Sequence, residues 1–139
     1  MKSIDKFRGE YSFLSNFAPC KVTYKGKVFP TVEHAFQAAK CLDENEMNIF
    51  LYIGEPKEAK KWGRTVKLRP DWDSVKVGIM EDLVRQKFQN EKYRDLLKGT
   101  GDSIITEGNT WGDTFWGVCK GTGQNNLGKI IMKIREELL

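Results

Sequence analysis

A strand–turn–strand signal running straight into a capped helix constrains this chain more than any other stretch. Lys21-Val22-Thr23-Tyr24 and Lys27-Val28-Phe29 flank Lys25-Gly26, which reads as the two-residue turn of a hairpin. Pro30 and Thr31 follow. Thr31 is a natural N-cap, because its hydroxyl accepts one of the N–H groups that a first helical turn leaves unpaired. The helix then reads Val32-Glu33-His34-Ala35-Phe36-Gln37-Ala38-Ala39-Lys40. At about 100° per residue, Glu33, Gln37 and Lys40 fall within a stripe roughly 60° wide. Val32, Ala35, Phe36, Ala38 and Ala39 fill the opposite side, the pattern of a helix packed along one edge.

The remainder of the chain is mostly helical in pattern. Helices are expected over residues 46–52 and from Pro56, which suits a first helical position, to a stop near Gly63. A long helix is expected from Asp73, as N-cap, to about Gln89, with Ile79, Met80, Leu83, Val84 and Phe88 at core-facing three-and-four spacing. Glu91 to Lys98 continues as a shorter helix, closed by Gly99-Thr100-Gly101, and Ile104-Ile105-Thr106 reads as a short strand. Leu127, Ile130, Ile131, Ile134 and Leu138 mark a final amphipathic helix. Helical runs beside a few strands, without regular β-α-β alternation, imply α+β. The expectation is a mainly helical single domain over residues 1–139, with a small antiparallel β element near the N-terminus.

Composition sets outer limits. A chain of 139 residues, 40% apolar and 30% charged, is long enough for a hydrophobic core without staples. No apolar run approaches the roughly 20 residues of a membrane span, and Met1-Lys2-Ser3-Ile4-Asp5-Lys6 lacks the apolar stretch of a signal peptide. A cytoplasmic location with no membrane partner is expected. Cys20, Cys41 and Cys119 are scattered, with no C-x-x-C pair, which fits reduced thiols. With His34 as the one histidine, neither a metal nor a cofactor is expected. The net charge of +4 suits an anionic small molecule such as a nucleotide or sugar phosphate.

Chemistry enters with the polar stripe. A carboxylate, an amide and a primary amine held together could protonate, orient and attack an electrophilic carbon. The competing reading is a solvated helix face. Glu33 and Lys40 are seven apart, too far for the usual i, i+4 pair, so helix stabilisation explains them poorly. A second stretch, Asn109-Thr110-Trp111-Gly112-Asp113-Thr114-Phe115-Trp116-Gly117 and then Gly121-Thr122-Gly123-Gln124-Asn125-Asn126-Leu127-Gly128, puts tryptophans, Asp113 and glycines before a helix. Backbone N–H groups there favour anions, and Trp rings stack on nucleobases. The competing reading is a turn-rich connector whose tryptophans plug the core. A third stretch, Phe13-Leu14-Ser15-Asn16-Phe17, encloses Ser15 and Asn16 between apolar groups, and Arg64 supplies a guanidinium suited to phosphate. Trp72 either staples the long helix or lines a pocket.

Taken in order, these stretches resemble the NADAR (YbiA-like) family. The matching pieces are Phe13 to Phe17, Thr31 to Lys40, Gly63-Arg64, Trp72, Met80, Lys87-Phe88, Asp113, Trp116-Gly117, and Asn125-x-Leu127-Gly128 through Arg135. The resemblance implies N-glycosidase chemistry on a ribose C1′–N bond. Two substrate classes come with it: phosphoribosylamino-pyrimidine intermediates of the riboflavin pathway, and ADP-ribosylated guanine, free or on modified nucleic acid. It is expected that Glu33 is the acid and base and Lys40 the nucleophile through a Schiff base; in a simpler rival route Asp113 or Glu33 activates water directly and Lys40 only neutralises phosphate. Substrate contacts are expected from Ser15, Asn16, Phe17, Gln37, Arg64, Trp72, Trp116, Gly117 and Asn125, with His34 structural or solvated. The loop Val118 to Gln124 departs from the family's Gly/His/Asp-containing loop, which leaves substrate identity open. A non-catalytic binder of nucleotides or ADP-ribose is the alternative from another class.

Overall fold

The computed structural model describes residues 2–139. The chain packs as two compact units, one from the segment up to Ser15 together with Phe88–Leu139, the other from Asn16–Lys87.

In the Asn16–Lys87 unit, the hairpin forms as its sequence demands. Strands β2 (Val22–Tyr24) and β3 (Lys27–Phe29) pair antiparallel, with Val22 opposite Phe29 and Tyr24 opposite Lys27. Lys25 and Gly26 both take positive φ (53° and 76°), as a turn matching the strand twist requires. Helix α1 (Val32–Ala38) follows and touches β2, β3 and three more helices, α2 (Glu44–Ile49), α3 (Pro56–Trp62) and α4 (Trp72–Lys87). The consequence is burial on all sides: Glu33, His34 and Gln37 are as enclosed as Val32, Ala35 and Ala38. The solvated-face reading is therefore excluded for Glu33 and Gln37, while Lys40 is half-buried.

Several boundaries differ from expectation, and α2 also ends early, at Ile49 rather than Tyr52. Helix α1 ends at Ala38, before Lys40, whose N–H bonds Gln37 O at 3.2 Å in a tightened last turn. Helix α2 starts two residues early because Asp43 is its cap, its carboxylate accepting from Asn45 N (2.7 Å) and Glu46 N (3.1 Å). Asp73 does not cap α4, which already includes Trp72 in its first turn.

The other unit holds strand β1 (Ser3–Ile4), a 3-10 turn (Gly9–Leu14), helix α5 (Glu91–Lys98) and strands β4 (Ile104–Ile105), β5 (Gly108–Asn109) and β6 (Val118–Cys119). It ends in helix α6 (Asn126–Glu137). Strand β1 pairs β4 and β5 pairs β6, both in parallel. Ile4, Phe13, Leu14, Phe88, Tyr93, Leu97, Ile105, Leu127, Ile130, Ile131 and Ile134 are the buried apolar side chains among the described residues of this unit. The α+β class holds, with two parallel pairs added to the expected hairpin. Among the described residues no helix is long and apolar enough to cross a membrane.

Candidate active site

The site is built on α1. Thr31 Oγ1 accepts from His34 N at 3.1 Å, and Asn16 O accepts from Glu33 N at 3.1 Å, so two N–H groups of the opening turn have partners. Asn16 is itself buried and donates Nδ2 to Met80 Sδ at 3.5 Å. His34 lies 2.8 Å by Nε2 from Ile53 O and 2.8 Å by Nδ1 from Thr31 Oγ1. A carbonyl only accepts, so Nε2 carries the proton and donates it to Ile53. Burial lowers the His34 pKa, and the ring ties the helix start to the segment after α2. Of the two roles expected for His34, the structural one is realised.

One turn on, Gln37 Nε2 donates to Glu33 Oε2 at 2.5 Å, the i, i+4 spacing of the sequence stripe. The amide N–H fixes the orientation of this carboxylate. Gln37 Oε1 is buried and has no hydrogen-bond partner among the described residues. It faces Gly63, at the end of α3, where an added Cβ would lie 1.9 Å from Oε1. Only a residue without a side chain leaves room for this amide.

Lys40 Nζ donates to Gly63 O at 3.4 Å. Burial pushes its pKa below the ordinary lysine value; Glu33 pulls it back, while Arg64 and Lys60 push further down. Burial outweighs Glu33, so the net shift is toward the neutral, nucleophilic amine. Arg64 follows Gly63 on the exposed surface, and its guanidinium has no side-chain partner among the described residues.

Lys40 also has a clamp that sequence reasoning missed. Arg69 N donates to Lys40 O at 2.9 Å, and Arg69 Nη1 donates to Ala39 O (3.4 Å) and Tyr24 Oη (3.2 Å). The guanidinium is held in a fork by Asp71, Nε to Oδ1 at 2.6 Å and Nη2 to Oδ2 at 3.0 Å. The carbonyls of Ala39 and Lys40, just past the end of α1, are thereby fixed where the Lys40 side chain departs. Arg69-x-Asp71 next to Pro70 was the signal available in sequence, and it resembles any surface turn. Trp72 is buried, its ring centroid 5.0 Å from that of Phe36 on α1, so its visible work is as a staple.

The remaining expected contacts lie at the unit boundary or in the other unit. Ser15 closes the 3-10 turn, its N–H bonding Ser12 O at 3.0 Å, and Phe17 is partly exposed. Asp113 Oδ1 accepts from Phe115 N (3.1 Å) and Trp116 N (2.9 Å), which shapes the loop that carries Trp116. Trp116 stands edge-on to Phe115 with centroids 4.8 Å apart. At Gly117 a Cβ would meet Glu107 O at 2.2 Å, so glycine is needed for strand approach. Asn125 uses both ends of its amide on backbone, Oδ1 accepting from Glu107 N and Nδ2 donating to Ile105 O, each at 2.9 Å. The N–H groups of Gln124, Asn125, Asn126 and Leu127 bond the carbonyls of Thr114, Gly117, Phe115 and Trp116 at 2.8–3.2 Å. The backbone expected to hold a phosphate before α6 is occupied by the chain's own loop.

The NADAR domain family model matches residues 5–139. The chain belongs to the NADAR family. It is 38% identical over 133 residues to the N-glycosidase YbiA of Escherichia coli (strain K12), covering 93% of this chain and 82% of that one. The NMR structure of E. coli YbiA matches with a TM-score of 0.85 at 36% identity, covering 99% of this chain and 86% of that one. The riboflavin biosynthesis protein VVA0006 of Vibrio vulnificus is 37% identical over 132 residues, which span 92% of this chain and 36% of that protein. Glu33 and Gln37 are buried in the Asn16–Lys87 unit, and Lys40, just past the end of α1, is half-buried.

Proposed function

We propose that this NADAR chain is an N-glycosidase, a hydrolase acting on a ribose C1′–N bond of a nucleotide-like substrate. The observation that carries the reading is the buried pairing of Glu33 with Gln37, beside a lysine whose amine is driven toward neutrality. A buried carboxylate and a partly desolvated amine suit acid–base and covalent catalysis. A pure binder needs neither.

In the proposed route the Glu33 carboxylate takes a proton from the Lys40 ammonium and delivers it to the ribose ring oxygen. The C1′–O4′ bond breaks, and C1′ becomes an iminium with the base nitrogen. The neutral Lys40 amine adds to C1′, and its proton passes to the base nitrogen. The C1′–N bond to the base then breaks, leaving C1′ as a Schiff base with Lys40. Water, deprotonated by Glu33, adds to C1′ and releases the lysine and an open-chain sugar, which recloses. Gln37 holds Glu33 in its rotamer throughout. Arg64, exposed and without a partner, is assigned to the substrate's phosphate. The loop employment of Asp113 Oδ1 favours Glu33 over Asp113 as the water-activating group.

Of the two substrate classes, the phosphoribosylamino-pyrimidine is favoured by the name of the Vibrio relative. The test incubates the protein with each candidate, a phosphoribosylamino-pyrimidine and an ADP-ribosylated guanine. Free base and sugar are followed, with borohydride added in parallel. Expected are release of base and a reduced adduct on Lys40, both lost in Lys40→Ala and in Glu33→Gln, by at least about 100-fold. Binding of either ligand with no turnover would support the non-catalytic alternative; turnover with normal rates in Lys40→Ala would remove the Schiff base.

A further inference from the structure

In the unit formed by the segment up to Ser15 and Phe88–Leu139, the chain ends of two parallel strand pairs surround a cavity of about 330 Å³. Asp5 and Lys6 follow β1, Thr106 follows β4, and Lys120 and Gly121 follow β6. Arg8, just before the 3-10 turn, completes the cationic side. The close approach that shapes the cavity floor depends on Gly108, whose N–H bonds Asp5 O at 3.0 Å and whose missing Cβ would lie 2.2 Å from that oxygen. Lys120 and Gly121 form a two-residue turn, both with positive φ (52° and 79°), closed by Cys119 N to Thr122 O at 2.9 Å and Thr122 N to Cys119 O at 3.1 Å. The rim that presents Lys120 is therefore rigidly cross-bonded.

The charges around this cavity are not used by the fold. The side chains of Lys6, Arg8 and Lys120 have no ion-pair or hydrogen-bond partner among the described residues. Three cations facing one small cavity repel one another and call for an anion. Asp5 is the one acidic residue in the lining. Its carboxylate opposes a bare dianion but accepts from a hydroxyl carried beside the anion, and Thr106 and Thr110 add hydroxyls of their own. The volume lies at the small end of ligand pockets, enough for one sugar ring with a phosphate and too little for a dinucleotide.

We propose that this cavity is a binding site for a phosphorylated sugar, with Lys6, Arg8 and Lys120 on the phosphate and Asp5 on the sugar hydroxyls. The cations are confined to one concavity rather than strung along a groove, which favours a small ligand over a nucleic-acid backbone. The assignment rests on this unit alone and stands whether or not Lys40 is a nucleophile.

The test is a nitrogen-15 amide titration of the full chain carrying Lys40→Ala, so that turnover plays no part. The ligands are ribose 5-phosphate, inorganic phosphate, ribose and a single-stranded oligonucleotide. Expected is saturable movement of the Thr106, Gly108 and Gly121 amides by ribose 5-phosphate, at least tenfold tighter than inorganic phosphate and absent with ribose. Arg8→Ala and Lys120→Ala each weaken it at least fivefold, while Lys129→Ala, exposed on α6, leaves it unchanged. Asp5→Asn brings ribose 5-phosphate and inorganic phosphate to within about twofold of each other. Non-saturating shifts overturn the proposal, as do shifts indifferent to Arg8 and Lys120 or confined to Asn16–Lys87. Tighter binding of the oligonucleotide with a steep salt dependence also overturns it.

Discussion

Replacing Gly63 by Ala tests how tightly the Glu33–Gln37 pair is held. The new Cβ would lie 1.9 Å from Gln37 Oε1, 2.7 Å from Cδ and 3.1 Å from Cγ, and Gln37 is 5% exposed. Gln37 cannot yield without leaving Glu33 Oε2, which its Nε2 meets at 2.5 Å. Overpacking a filled interior costs about 1–3 kcal/mol, and losing a hydrogen bond to a charged group about 1.5–3 kcal/mol. Gly63 has φ −60°, which alanine adopts freely, so the reduced entropy of the unfolded chain returns about 0.4–1 kcal/mol. Partial relief of the clash when Gln37 swings away leaves a net loss of about 2–3 kcal/mol. With the usual unfolding entropy per residue, that lowers the Tm of a 139-residue chain by about 7–10 °C. The assay is urea and thermal unfolding of Gly63→Ala, Gln37→Ala and the double variant. The three atoms nearest the new Cβ all belong to the Gln37 side chain beyond Cβ, so in the Gln37→Ala background Gly63→Ala should be neutral or stabilising by about 0.4–1 kcal/mol. Equal losses from Gly63→Ala in both backgrounds would refute the reasoning.

Other substitutions probe the same unit. Burial pulls the Lys87 pKa down to about 7 from the ordinary 10.5, so between those values the unfolded chain holds a proton that the folded chain lacks. Stability should therefore rise from pH 7 toward 10.5, and Lys87→Met should flatten that rise in unfolding midpoints measured against pH; an unchanged slope counts against it. Arg64 helps depress the Lys40 pKa, so Arg64→Ala should raise it and move the rising limb of the pH–rate profile to higher pH. A limb that stays put, or moves down, contradicts the assignment of Lys40 as the titrating nucleophile. Arg69→Ala, which frees the carbonyl of Ala39 but keeps the backbone bond to Lys40 O, should cut kcat about tenfold or more with little change in KM and slow borohydride trapping, because misplacing a reacting group is costly. Arg69→Lys should rescue poorly, since an ammonium cannot reproduce the fork to Asp71; full rescue would reduce Arg69 to a simple charge.

The elements that depend on near neighbours were legible in the sequence. The Lys25-Gly26 turn, the Thr31 cap, Pro56 at the opening of α3 and the Glu91–Lys98 helix all follow from bonds made within a few residues, so composition and spacing suffice. The stripe of Glu33, Gln37 and Lys40 was visible for the same reason, and with it the carboxylate, amide and amine of the candidate site. What the stripe faces was not visible, because an amphipathic pattern is the same whether its polar side meets water or protein. Burial of Glu33 and Gln37 was decided by β2, β3, α2, α3 and α4 closing around α1. The Gly63 gap and the Arg69 clamp came from segments 23 to 30 residues along the chain, with no periodicity to announce them. Asn125 looked like a ligand contact in sequence; its amide instead ties backbone at Ile105 and Glu107, 20 and 18 residues away. The parallel pair β1–β4 joins residues about a hundred positions apart through two residues on each side, too short to leave a pattern. Local hydrogen bonds and turn chemistry are written residue by residue, whereas enclosure and the direction of a side chain's partner exist only once distant segments share a surface.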